Sequence, residues 1–151
     1  MTEPRYLKGT LAVLAGCTLN HFGDRLLGVK MELFYGLSTF SFAWILDVFF
    51  LPFVVGVVVS LIFGLGGKWL CYFPPLIVRT ISYLEIAYLT GAPEGSHLNP
   101  FGWWGFFVIL AMEAAAIGGV IGEFMIKDTY GSTRPPPEID NPVTSPVDPE
   151  A

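Results

Sequence analysis

Four ionisable side chains lie where the chain is most apolar, and they are the residues whose chemistry must be explained. Asp47 is the only charge in Phe40–Leu65, FSFAWILDVFFLPFVVGVVVSLIFGL, and Arg79, Glu85 and Glu113 fall in later apolar segments. An ionised carboxylate at a bilayer centre costs at least ~2.5–3.5 kcal/mol on insertion scales, so each needs a counter-ion, a proton or a watery path. Two chemistries follow. One is an ion pair that holds helices together, with Arg79 bridging to Asp47. The other is a proton or ion path through the carboxylates. Arg79 and Glu85 are six residues apart and face different sides of one helix, so they pair poorly with each other. Arg79 must then reach Asp47 or Glu113 on another helix, or an external anion. Asp47 lies about ten residues into its segment and Glu113 about eleven into its own, which predicts that both sit near the midplane. With Asp47 given to Arg79, Glu113 is the carboxylate left over.

The segment around Glu113 carries a second pattern. Ala111, Ala115, Gly118, Gly119 and Gly122 share one stripe of a helix, and Gly118 with Gly122 makes a GxxxG spacing. Small residues let a neighbouring helix approach closely. Glu113 falls on the opposite side, with Phe106, Ile109, Ile117 and Val120. Both faces therefore call for protein contact, which predicts a homo-oligomer or other membrane subunits as partners.

Other groups that could do chemistry are sparser. His21, Asp24 and His97 are weak candidates for a divalent metal, since His and carboxylate groups ligate such ions and His21 and Asp24 share a helix face. No HExxH-type motif and no third His accompany them, so polar headgroup contacts are the better reading and neither a metal nor a cofactor is expected. Leu14-Ala15-Gly16-Cys17 matches a bacterial lipobox. Glu3 in the preceding region and the short apolar stretch Thr10–Ala15 argue against lipidation of Cys17, and the segment reads as a helix. Gly64-Leu65-Gly66-Gly67-Lys68 lacks phosphate-loop spacing. No Ser-His-Asp or Cys-His constellation has supporting context, so the chain does not read as an enzyme.

The elements that must position these residues follow from hydropathy. The 151 residues are 53% hydrophobic and only 14% charged, with a mean hydropathy of +0.59, where soluble domains carry about 25% charged residues. That deficit predicts an integral membrane protein. Segment one spans Tyr6 to Gly23 and is the weakest, at the lower length limit for a span of ~17 residues. Segment two runs from Leu37 to the Gly64–Gly67 break, with a kink expected at Pro52. Segment three follows Pro74-Pro75 and ends near Leu89. Segment four runs from Phe101 to about Ile126. The intervening DRLLGVKMELFYG mixes charges with Leu26, Leu27, Met31, Leu33 and Phe34, and reads as a short interfacial helix or a lid. Trp69, Tyr83, Tyr88, Trp103 and Trp104 lie near span ends, as an interfacial aromatic belt does. The proline-rich acidic tail, 131–151, lacks the apolar groups for a core and reads as disordered.

The fold class is thus all-α, a bundle of four transmembrane helices over 1–130, with three spans plus an interfacial N-terminal helix as the alternative. With four spans, Arg5, Lys8, Lys68, Lys127 and Arg134 fall on one side and Arg25 and Lys30 on the other. The positive-inside rule then puts both termini in the cytoplasm, and the expected location is a bacterial inner membrane. The net charge of −5 and the scattered basic residues exclude nucleic acid as a partner. The expected function is that of an accessory or assembly subunit acting by helix association in a membrane complex. The alternative is a small oligomeric transporter or proton-linked channel using its intramembrane carboxylates.

Overall fold

A computed structural model describes residues 4–131, and they form four antiparallel helical rods joined by short connections. The tail read as disordered lies outside the described residues. The first rod, α1 (Arg5–Leu27), starts after Pro4 and stops at Gly28. Gly28 takes a φ of 65°, a left-handed value that its missing Cβ permits, and its N–H bonds the Asp24 carbonyl at 3.0 Å. Helix α1 therefore carries Asp24 in its last turn, beyond the Tyr6–Gly23 stretch expected to span.

The second rod is continuous over Phe42–Phe63 and has two α-helical parts, α2 (Phe42–Ile45) and α3 (Leu51–Phe63). Between them Leu46–Phe50 makes a π-helical turn. Pro52 lacks the N–H that would meet the carbonyl four residues earlier, and the chain widens immediately before it. The expected disturbance at Pro52 thus takes the form of a widened turn that contains Asp47. The rod begins at Phe42 rather than Leu37 because Ser41 caps it, its Oγ accepting the Trp44 N–H at 3.2 Å. That later start puts Asp47 in the second turn of the rod.

Gly64 and Gly66, both at φ 92°, break the chain out of α3. A short 3₁₀ segment, Gly67–Tyr72, leads into α4 (Phe73–Glu85), which has Pro74 and Pro75 in its first turn. A π-helical turn, Ile86–Thr90, prolongs α4. The last helix, α5 (Phe101–Gly131), runs past the expected end near Ile126.

The stretch 24–36, read as a short interfacial helix or a lid, makes no helix of its own: 24–27 complete α1 and 28–36 are loop and strand. Leu33–Phe34 (β1) pairs antiparallel with His97–Leu98 (β2), a two-residue ribbon joining the two loops at this end. Asn99 ties the loops together: its N–H bonds the Glu32 carbonyl and its Nδ2 bonds the Met31 carbonyl, each at 2.8 Å. Met31, Glu32 and Leu33 are fully buried by this cap.

Two apolar clusters fill the bundle. Under the cap, Met31 packs with Trp44, Val48, Trp104, Phe107 and Val108. Toward the opposite end, Ala12, Val55, Val59, Cys71 and Ala115 meet. The largest interface joins α3 and α5. Here the small stripe of α5 is used: a Cβ on Gly118 would collide with the Phe53 carbonyl, and one on Gly56 with the Ala115 carbonyl. Gly119 lies against Cys71, Gly122 against Ser60, and Ala111 and Ala115 are fully buried. The stripe therefore packs within the chain, with Gly56 as its counterpart on α3.

Two rods, Phe42–Phe63 and Phe101–Thr129, are long and apolar enough to cross a membrane, with mean hydropathies of 2.7 and 2.0. Large apolar side chains cover the outside, among them Leu14, Phe50, Ile81, Ile109, Ile117 and Phe124.

Candidate functional site

The charged residues converge near the capped end. Arg79, on α4, is 1% exposed, and its Nη2 donates to Asp24 Oδ1 and to Asp47 Oδ2, at 2.8 Å each. Glu32 Oε1 lies 3.6 Å from Nη1, close enough for attraction but too far for a hydrogen bond. The three acids come from three elements: the last turn of α1, the cap loop and the π-helical turn of the second rod. Because α4 starts at the opposite end, the long guanidinium stem must reach toward the capped end to meet them. Asn20, one turn before Asp24 on α1 and fully buried, points its Nδ2 at Asp24 Oδ2 over 3.5 Å.

The cluster is short of protons. One guanidinium faces three carboxylates, so the group carries two uncompensated negative charges if every acid is ionised. Several atoms also lack hydrogen-bond partners: Asp47 Oδ1, Glu32 Oε1, Asn20 Oδ1 and Arg79 Nε are all buried and unsatisfied. Like charges crowded away from water favour protonation of one member. Burial pushes the Glu32 carboxyl above the usual carboxylate range, an effect that the nearby Arg79 only partly offsets.

A cavity of about 230 Å³ leads from the cluster to the surface at the capped end, lined by His21, Lys30, Ser82 and Glu85 beside the acids. His21, Lys30 and Glu85 are exposed there. Asp24, at 13% exposure, lines this cavity together with Glu32 and Arg79, whereas Asp47 is sealed at 0%.

Of the sequence-derived set, the structure brings Asp47 and Arg79 together and leaves two residues apart. Glu85 stands exposed at the cavity rim. Glu113 is exposed on α5, on the face away from the α3 interface, so the four do not form one path. Asp24, weighed as a metal ligand, instead accepts from Arg79. His97 lies in β2, away from His21, and among the described residues no three His, Cys, Asp or Glu side chains are grouped to hold a metal ion. The cation among these acids is the guanidinium.

Glu32, which the sequence grouped only with the outer-side histidines and carboxylates, is the member whose tie to Arg79 sequence reasoning missed. Its neighbours show no helical or strand period, and only contact with Arg79 reveals it. Glu123 was also missed. At the opposite end its Oε1 accepts the N–H groups of Gly66 at 2.9 Å and Lys68 at 3.1 Å, clamping the glycine turn to α5.

Comparison with known protein families, characterised proteins and solved structures finds no match to this chain. The arrangement of its own side chains is therefore the whole basis for a functional reading.

Proposed function

We propose that this is a small polytopic membrane protein that acts by helix association, as an accessory or assembly subunit of a membrane complex. The observation that carries the reading is the position of Glu113. It stands exposed half-way along α5, in a row with Phe106, Ile109, Ile117, Val120 and Phe124, which are themselves 38–64% exposed. An ionised carboxylate facing lipid at that depth costs at least ~2.5–3.5 kcal/mol, and a donor from a neighbouring helix removes that cost. The small stripe of α5 is already occupied by α3, so this outer face is the one free to receive a partner subunit.

Four antiparallel rods crossing an inner membrane, with both termini cytoplasmic, fit the same picture. Arg5 reaches the Leu65 carbonyl at 3.5 Å and Glu123 clamps Lys68, so these positive residues gather at one end while Arg25 and Lys30 lie at the other. The test is association itself: the full-length protein isolated gently from its native membrane should migrate as a complex, and Glu113→Lys should dissolve it while the isolated chain keeps its fold. A complex indifferent to Glu113→Lys contradicts the reading. A second reading, a proton-linked transporter or channel, is favoured by the acids crowded around Arg79. It requires solute or proton flux from the protein reconstituted alone in vesicles.

A further inference from the structure

We infer that the Asp24–Asp47 pair, held on Nη2 of Arg79, is a proton-binding site that exchanges with water at the capped end of the bundle. The inference rests on the charge cluster and stands independently of the association reading. Both carboxylate oxygens lie 2.8 Å from one nitrogen, which forces the two acids into each other's immediate neighbourhood. Nη2 has two N–H groups, and the pair consumes both. The cluster's one remaining unpartnered donor in that set, Arg79 Nε, reaches none of Asp47 Oδ1, Glu32 Oε1 and Asn20 Oδ1, all buried without a partner. A proton on one aspartate supplies the missing donor and lowers the uncompensated charge at the same time. The ligand is thus a proton, taken from cavity water onto one carboxylate oxygen and returned to it; an O–H bond is the only bond made or broken.

The surroundings set the direction of access. From α1 the groups facing the site are Asn20, His21, Asp24 and Arg25; from the cap, Lys30 and Glu32; from α4, Arg79 and Glu85. The α5 surface under the cap offers apolar Val108 and Ala111, and its one mid-helix acid, Glu113, faces outward. Protons therefore enter past His21 and Glu85, where the cavity meets solvent, and reach Asp24 before the sealed Asp47. Below the site the bundle is closed by the apolar packing of Ala12, Val55, Val59 and Ala115.

The experiment uses the full chain in lipid nanodiscs with ¹³C-labelled aspartate carboxyls, followed by NMR across a pH series. Aspartate labelling leaves Glu113 and Glu85 silent. The wild-type protein should show one aspartate carboxyl still protonated at neutral pH and exchanging with deuterium from solvent. Both Asp24→Asn and Asp47→Asn should remove that signal, while Glu113→Gln leaves it in place. If the aspartate variants fail to fold, the wild-type titration decides alone. Aspartates that are all ionised at neutral pH in the folded protein would overturn the proposal. A protonated signal that never exchanges with solvent would overturn the access route.

Discussion

Arg79 shares one nitrogen between Asp24 and Asp47, 2.8 Å from each, and so ties the end of α1 to the π-helical turn of the second rod through α4. Three of the four rods meet at this single atom. Its burial means that the surrounding acids, not water, balance the guanidinium charge, and the geometry makes the base and the acids unequal in their importance.

That inequality is testable. Arg79→Gln leaves three acids buried without a counter-ion and should destabilise the bundle by about 3–5 kcal/mol, the usual cost of breaking a buried pair. Asp47→Asn keeps two acids beside the arginine and should cost clearly less. Thermal unfolding in mild detergent compares the two, and equal losses would contradict the shared-nitrogen arrangement.

The close approach of α3 and α5 makes a second prediction. Gly56→Ala and Gly118→Ala each drive a methyl group into the backbone of the facing helix, and each should lower stability by about 1–3 kcal/mol. Gly102→Ala, which meets nothing within 4 Å, serves as the control and should leave the melting temperature almost unchanged.

Glu32 predicts the pH dependence of the cap. Its carboxyl is held above the usual range by burial, with Arg79 opposing, so the folded state takes up a proton more readily than the unfolded chain does. The resulting stabilisation is complete below the unfolded value of about 4.3 and is lost as pH rises through the higher folded value. The protection of the Leu33 amide, corrected for intrinsic base-catalysed exchange, should fall across that window. Glu32→Gln should flatten the dependence, and a wild-type cap that tightens with rising pH would show the sign to be wrong.

The expected orientation is checked by cysteine labelling on a background without Cys17 and Cys71. Lys68→Cys should be reached by an impermeant reagent only after the cells are opened, and Arg25→Cys from outside. Labelling of position 68 in intact cells would reverse the topology.

Much of this arrangement was legible from residue types. An arginine and an aspartate in separate apolar segments have few other ways to be satisfied, and the Asp47–Arg79 contact follows. The small stripe on α5 announces a close helix contact, although pattern alone does not say whether the neighbour belongs to the same chain. Gly56, on the facing helix, makes that contact possible from within. Asp24 read differently because it stands in the last turn of α1, where a headgroup or metal contact is equally natural in one dimension. Glu32 sits in a loop without periodicity, and the Asn99 hydrogen bonds to the Met31 and Glu32 carbonyls, with the adjoining β1–β2 pair, fix the backbone that carries it inward. Asp47 stands nearer the start of its rod than its place in the apolar run suggests, for a local reason: the Ser41 cap starts the rod at Phe42, several residues later than hydropathy indicates.

The outward face of Glu113 bears the functional claim, and photo-crosslinking in the native membrane tests it most directly. A photoreactive residue at Ile109 or Ile117, flanking Glu113, should capture one defined membrane protein, and the same residue at Ile81 on α4 should not. Adding Glu113→Lys should abolish the capture while expression and folding persist. Crosslinks from positions 109 and 117 to lipid alone, or a protein adduct that survives Glu113→Lys, would contradict the account.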